Sequence, residues 1–404
     1  MAKVNVKGEV IDLLTPFYML PERKKKIEAA LHEPITSDPI NDLARSIHPS
    51  KLHLVVKEVK DETVSTKTFR LVPAEGSTTK SLPAFRAGQY VSVKLDIDGI
   101  GVTRPYSIAS SPSDALKGGF IELTIRKKDG GFATQYIWDN WKEGTAVETS
   151  GPCGNFYIDS LRDSRAILGI GGGCGVTPFR SMIREIIDNN LDVHFTLLYG
   201  TRKADDIIYK DEMLELERQH PDKLKVNFVC SEPDESWSGP TGLLTSECVM
   251  NLGGGVEGKT IFICGPQVMY NFLDEELKGL NIPRRRLRRE AFGEAENVLT
   301  YPNYPKELAD KEFEITVLIG EEEKKVPAKA TETVVVSLER AGIAPPSQCR
   351  SGECGFCRSM LLSGDVFVSP ENDGRRLADR KFGWFHPCSS YPVSDLKIRV
   401  ARSV

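Results

Sequence analysis

Apolar and polar positions change their rhythm along the 404-residue chain, and each change predicts a different kind of structure. In residues 1–50, Leu20, Ile27 and Leu31 recur at loosely helical spacing within LPERKKKIEAALHEP, a stretch bounded by Pro21 and Pro34, and SDPINDLARSIHP follows. This predicts two short helices in an N-terminal extension. Over residues 51–160 the period drops to two, in KLHLVVKEV, KTFRLV, QYVSVKLDI, FIELTIRK and TAVETSG. Short β-branched runs punctuated by glycine and proline predict five or six strands of an antiparallel β-barrel. One helix, FATQYIWDNWKEG, interrupts them directly after Gly130 and Gly131.

Residues 161–297 alternate apolar strands with amphipathic helices: RAILGIG, PFRSMIREIIDNN, VHFTLLYG, IYKDEMLELERQ, KVNFVCS, TIFICGP and VMYNFLDEELKGL. This is the pattern of an α/β domain whose parallel sheet is covered on both faces, with ligands at the carboxyl ends of its strands. A proline-containing linker is expected at 298–312. The last unit, 313–404, reads as α+β: strands FEITVLIG and KKVPAKA, helix TVVVSLERAGI, and closing strands SMLLSGDVFVS and DLKIRVA.

Composition narrows the function classes. A net charge of −4 with 40% hydrophobic and 27% charged residues suits a soluble chain with no charge pressure toward nucleic acid or lipid. No apolar run reaches membrane-spanning length and the start lacks a signal peptide's apolar region, so no membrane span and a cytoplasmic location are expected. Lys24, Lys25 and Lys26 read as a solvated helix face, the alternative being a dock for an acidic partner. The run Arg284, Arg285, Arg286, Arg288 and Arg289 lacks an aromatic platform or recognition motif, so a solvated helix end or an acidic partner is preferred to nucleic acid.

Of the nine cysteines, Cys153, Cys174, Cys230, Cys248 and Cys264 are scattered without framework spacing, which fits a reducing compartment. The other four, Cys349, Cys354, Cys357 and Cys388, are spaced C-x4-C-x2-C…C, as a plant-type [2Fe–2S] cluster requires. Gly352 and Gly355 let the loop fold around metal and can free N–H groups for sulfur. Zinc would favour paired C-x2-C knuckles, and only Cys354 and Cys357 have that spacing. His386 invites a Rieske reading, but four cysteines already fill the site, so a structural role is expected. Phe382, Trp384 and Phe385 are expected to pack as a shield.

Two glycine-rich turns suit phosphates. Gly130 and Gly131 precede a helix start, where free N–H groups and the positive dipole end favour an anion. Gly171, Gly173 and Gly175, followed by Val176, Thr177 and Pro178, likewise admit a pyrophosphate to the backbone, although the spacing is not G-x-G-x-x-G.

The run Thr103, Arg104, Pro105, Tyr106 and Ser107 resembles the flavin-binding R-x-Y-S of the ferredoxin reductase-like family. Gly131, Phe132, Ala133 and Thr134 resemble its turn for the flavin pyrophosphate. Gly171 to Pro178 match its G-x-G-x-G-V-T-P, and Cys264, Gly265 and Pro266 its C-G-P, where the cysteine lies near the nicotinamide. Glu290 and Phe292 resemble the E-x-F that closes the site. Residues from about 51 to 404 are similar to bacterial reductases of the phthalate dioxygenase and vanillate demethylase type, a flavin barrel and nucleotide domain fused to a C-terminal β-grasp ferredoxin. The resemblance implies Arg104 on a flavin phosphate, Tyr106 over the isoalloxazine, and Ser107, Cys264 and Glu290 around the hydride path. It implies FAD in preference to FMN. Arg202 could meet a 2′-phosphate, but Cys230, Ser231 and Glu232 stand where the plant-type NADPH enzymes have Ser-Arg; a glutamate repels phosphate, so NADH is preferred to NADPH.

Together these imply an NAD(P)H-dependent iron–sulfur flavoprotein that takes hydride onto flavin and passes single electrons through the cluster. The acceptor is an oxygenase component or another redox enzyme. The alternatives are a redox-sensing module and an electron-transfer subunit of an anaerobic complex, including the type that serves a hybrid-cluster protein. A dihydroorotate dehydrogenase subunit packs its cysteines more closely than the spacing before Cys388 allows.

Overall fold

A computed structural model describes residues 10–30, 38–290, 293, 297–369 and 373–401. Leu31, Pro34 and Phe292 lie outside them. The extension carries α1 (Val10–Glu28) and α2 (Pro39–Ile47). The first helix is longer than expected and takes Pro21 into its interior, where the missing N–H removes one rung instead of starting the helix. The second starts as its residues dictate: Asp38 accepts from the Asn41 N–H and Pro39 opens the first turn.

The barrel contains β1 (Leu52–Thr63), β2 (Thr66–Pro73), β3 (Tyr90–Ile97), β4 (Ile100–Ser107), β5 (Ile121–Arg126), α3 (Phe132–Asn140) and β6 (Ala146–Thr149). Its sheet runs β4-β3-β6-β1-β2-β5, every pair antiparallel. Inward positions of the period-two pattern, among them Leu54, Phe69, Val91, Val93 and Leu123, form one core. The Trp141 ring closes it edge-on against Phe69 at 5.2 Å.

The nucleotide domain contains β7 (Ala166–Gly172), α4 (Thr177–Asp188), β8 (His194–Thr201), α5 (Lys210–Gln219), β9 (Leu224–Cys230), α6 (Ser246–Asn251), β10 (Thr260–Cys264), α7 (Gln267–Leu277) and β11 (Leu287–Glu290). The sheet runs β11-β10-β7-β8-β9 and is wholly parallel. Phe179, Met182 and Met213 of α4 and α5 cover one face, and Val249, Tyr270 and Leu273 of α6 and α7 cover the other. The strand order reverses between β7 and β10, so a crevice opens there, where such sheets bind ligands.

Charge as well as packing joins these two domains. Arg180 of α4 donates to Glu122 of β5 at 2.7 Å, to Glu212 of α5 at 2.8 Å and to the Ala109 carbonyl at 3.1 Å. Burial alone would raise the Glu122 carboxyl, but the Arg180 guanidinium and then Arg70 outweigh it and hold Glu122 below the usual range. A carboxyl depressed on folding stabilises above its unfolded value and loses that contribution as pH falls through the folded one. Glu122→Gln is therefore expected to cost about 2 kcal/mol at neutral pH. In denaturant titrations the gap from the unmodified protein should close below about pH 4. An equal gap at both pH values would reject this account.

The last domain contains β12 (Glu312–Ile319), β13 (Glu322–Lys329), α8 (Val334–Arg340), β14 (Ser359–Ser363), β15 (Val366–Val368), α9 (Leu377–Lys381), β16 (Trp384–Phe385), β17 (Ser390–Pro392) and β18 (Leu396–Arg399). Its main sheet is mixed, β13-β12-β18-β14-β16, with β12 and β18 parallel, and α8 packs Val334 and Leu338 onto it. The expected closing strand SMLLSGDVFVS is two strands. Gly364 takes φ +88° between β14 and β15, and β15 leaves the main sheet to pair with β17. The linker segment is packed, with Tyr304 buried edge-on against Phe367 at 5.2 Å and its hydroxyl donating to the Ala330 carbonyl at 2.9 Å.

Candidate active site and cluster centre

The flavin-type motif lies on β4 itself, whose outer half carries Arg104, Pro105, Tyr106 and Ser107. Ser107 and Pro105 are buried, while Arg104 and Tyr106 are half-buried. Burial pushes the Tyr106 phenol above its ordinary value, so the ring stays neutral. At the other expected phosphate contact, Gly131 precedes the first turn of α3, and a Cβ there would meet Thr134 Oγ1 at 2.5 Å and the Lys128 carbonyl at 2.9 Å. Phe132 is exposed and Ala133 buried. A cation on β4 and a turn only glycine can form suit a flavin phosphate, so the residues fit the group the fold implies.

The nucleotide motifs meet at the switch point. Gly171 lies at the penultimate position of β7 and Gly173 takes φ +52°. At Gly175 a Cβ would lie 2.0 Å from the Cys264 carbonyl oxygen and 2.7 Å from the Gly265 nitrogen, so the two turns touch backbone to backbone. Thr177 and Pro178 are buried at the start of α4, and the Thr177 hydroxyl donates to the Cys174 carbonyl at 2.9 Å. Pro266 precedes α7. Tyr270, four residues on, donates its hydroxyl to the carbonyls of Ile263 and Glu290 and so ties the ends of β10 and β11 together.

Cys264 and Glu290 end neighbouring strands, and Ser107 ends β4 beside Tyr90. Cys264 and Glu290 are register partners on β10 and β11. A Cβ on Gly154 would touch Tyr90 at 2.9 Å and Glu290 Oε1 at 3.4 Å, and Tyr90 is the register partner of Ser107. Burial pushes the Glu290 carboxyl well above its ordinary value, reinforced by Glu353 and Cys349. Its Oε2 is buried without a hydrogen-bond partner. Burial, then Glu290 and Cys174, likewise push the Cys264 thiol well up. Both shifts disfavour the charged forms of Cys264 and Glu290, which suits hydride chemistry beside them.

Arg202 is committed elsewhere. Its guanidinium donates to Glu232 at 2.9 and 3.0 Å, both side chains lying at the surface.

The four expected cluster ligands meet in two pairs. The Cys354 N–H donates to Cys349 Sγ at 3.4 Å, and the thiols of Cys357 and Cys388 are 3.3 Å apart. In each pair one thiol is lowered and the other raised by the hydrogen bond between them: Cys349 down and Cys354 up, Cys357 down and Cys388 up. Two thiols at each of two positions suit two irons, each taking two thiolates. Among the described residues no three metal-binding side chains gather on one point. Gly352 and Gly355 turn the loop at φ +83° and +70°. His386 Nδ1 donates to the Gly352 carbonyl at 2.6 Å, bracing the loop from behind. Of the aromatic residues expected to shield this centre, Phe385 is buried, Trp384 half-buried and Phe382 exposed. The Trp384 ring instead carries the Arg358 guanidinium at 4.5 Å.

Tyr90, Tyr270 and Glu353 were not reached from sequence. Tyr270 had a local signal, a tyrosine four residues into the helix after CGP. Tyr90 and Glu353 had none, because the Glu290 that both lie near belongs to another domain.

Comparison with known proteins agrees with the order of the domains. Family profiles match in order: an oxidoreductase FAD-binding domain at residues 52–158, an oxidoreductase NAD-binding domain at 170–275, and a 2Fe-2S iron-sulfur cluster binding domain at 317–393. The glycine betaine monooxygenase reductase subunit of Pseudomonas aeruginosa (strain UCBPP-PA14) is 30% identical over 383 residues, covering 90% of this chain and all of that one. The ferredoxin reductase component of the Rhodococcus rhodochrous 3-ketosteroid-9-alpha-monooxygenase is 28% identical over 354 residues, covering 85% and 95%. The solved phthalate dioxygenase reductase shares the fold at TM-score 0.62 and 22% identity, over 91% of this chain and 100% of that one.

Proposed function

The chain belongs to the family of NAD(P)H-dependent iron–sulfur flavoprotein reductases that serve as reductase components of oxygenases, and from this we propose that its electron acceptor is the terminal component of an oxygenase system. The observation that carries the proposal is the end-to-end likeness to the glycine betaine monooxygenase reductase subunit, which spans all three domains.

In this reading Arg104 and the turn from Gly131 to Thr134 hold the FAD phosphates, and Tyr106 covers one face of the ring with a neutral phenol. Ser107 hydrogen-bonds the ring edge. Gly171, Gly173, Gly175, Thr177 and Pro178 seat the dinucleotide, while Cys264, Gly265 and Pro266 set the nicotinamide position. Glu290, whose carboxyl burial pushes well above its ordinary value, offers a hydrogen-bonding group beside Cys264. Cys349 and Cys354 take one iron, and Cys357 and Cys388 the other. Flavin held there would supply the conversion between a two-electron hydride donor and a one-electron cluster. A cytoplasmic location belongs to the same proposal. It is supported by nine cysteines in thiol form, and recovery in a membrane fraction after lysis would oppose it.

NADH is the preferred donor because Glu232 occupies the guanidinium that a 2′-phosphate would need. Glu232→Ala is expected to raise kcat/KM for NADPH by about tenfold, the worth of one hydrogen bond to a charged group. NADH kinetics should change little. No gain with NADPH would show that Arg202 does not face the adenosine ribose.

The acceptor proposal is tested by mixing holoprotein and NADH with the oxygenase components of the Pseudomonas aeruginosa glycine betaine system and the Rhodococcus rhodochrous 3-ketosteroid system. Substrate consumption with either supports it. Brisk cytochrome c reduction with no oxygenase turnover in either mixture would count against it.

A further inference from the structure

We propose that Glu339 is a positioning residue that fixes the cluster domain against the flavin barrel by tying Arg104 to Arg350. The inference rests on the flavin and cluster readings above. Glu339 lies on α8 and is 5% exposed. Its Oε1 accepts from Arg350 Nη1 at 2.5 Å, and its Oε2 faces Arg104 Nη1 at 3.8 Å. Arg104 belongs to the barrel. Arg350 directly follows Cys349, is 1% exposed and takes φ +57°, a left-handed backbone that a bulky side chain keeps only when its surroundings hold it there. One carboxylate thus joins the residue that would hold the flavin phosphate to the loop that would hold the cluster.

Part of this interface is not closely packed. A cavity of about 320 Å³ lies between β3, β4 and the segment Ala344–Gln348. Two hydroxyls on its walls, Ser92 and Ser347, are buried without a hydrogen-bond partner. Close contact returns at Gly101, where an added Cβ would meet Ala344 Cβ at 3.2 Å. Dispersion contacts fall away steeply across a gap, whereas a buried carboxylate between two guanidiniums is directional and costly to misplace. The ion set therefore carries the directional part of this contact.

The experiment uses full-length holoprotein carrying Glu339→Gln, mixed anaerobically with NADH while flavin and cluster absorbance are followed separately. Flavin reduction should keep its rate. Cluster reduction should slow several-fold, because single-electron transfer between two centres falls off with the separation that this contact fixes. Glu339→Asp should restore part of the rate. Without NADH, amide hydrogen exchange should rise in β4 and residues 344–348 of the Gln variant and stay unchanged in β12 and β18. Gly101→Val, which wedges the same interface without touching an ion, should reproduce the kinetic pattern. Unchanged cluster reduction and exchange in Glu339→Gln would overturn the proposal. So would loss of the cluster's visible absorbance in that variant, since the carboxylate would then serve the cluster loop alone. If NADH fails to reduce the flavin of the unmodified protein, it is the functional reading that fails instead.

Discussion

Cys388→Ser holoprotein is expected to reduce cytochrome c from NADH at least about a hundredfold more slowly than the unmodified protein, since even outer partners of a metal ligand cost about 10–100-fold when lost. Ferricyanide, a small oxidant able to collect electrons at the flavin, should still be reduced at nearly the original rate. Cys388 is the ligand to remove because it comes from a segment remote from the cluster loop, is 1% exposed and lies 3.3 Å from Cys357 Sγ. A serine hydroxyl is a poor substitute for thiolate, and one position of the two-by-two arrangement would be left with a single sulfur. Iron and sulfide content should fall in parallel. Equal cytochrome c rates in mutant and parent would mean that electrons leave by another route.

Gly175→Ala should slow NADH-driven flavin reduction by about a hundredfold or more, through the same sensitivity of reacting groups to small displacements. The added methyl would sit 2.0 Å from the Cys264 carbonyl oxygen and 2.7 Å from the Gly265 nitrogen. Both are backbone atoms, so no side chain can rotate away, and either the β7–α4 turn or the end of β10 must move. Overpacking of this kind costs about 1–3 kcal/mol of stability, which the domain can survive while the nicotinamide seat is lost. Gly172→Ala is the milder comparison: its Cβ would meet the flexible Met269 Sδ at 2.5 Å, which can rotate away, and the Pro266 ring only at 3.2 Å, with no backbone atom as close. Cluster absorbance and its reduction by dithionite should be intact in both variants. Equal loss of NADH activity in the two would show that the turn tolerates no methyl anywhere, and that contact with Cys264 is not the cause.

What was legible in the chain was local. Cys349 to Cys357 is a spacing, GVTP and CGP are short runs at strand ends, and the alternation of apolar strands with amphipathic helices yields a parallel sheet. The residues that bind one domain to another left no such trace. Glu122 meets Arg180 only once β5 and α4 are packed, and Glu339 meets Arg104 only across the barrel surface. Secondary structure was missed where one residue opposed its surroundings. Pro21 was read as a helix boundary but stands inside α1, and Gly364 splits a run that looked like one strand into β14 and β15. Phe382 had the composition of a shield but is exposed, because α9 ends just before it and leaves the burial to Phe385.

The central claim is an order of transfer, from nicotinamide to flavin to cluster. The most direct test is an anaerobic NADH titration of the holoprotein beside the same protein stripped of flavin, with cluster absorbance as the readout. The account predicts that NADH bleaches the cluster only when flavin is present, and that dithionite bleaches it in both. Cluster reduction by NADH at the same rate without flavin would contradict it.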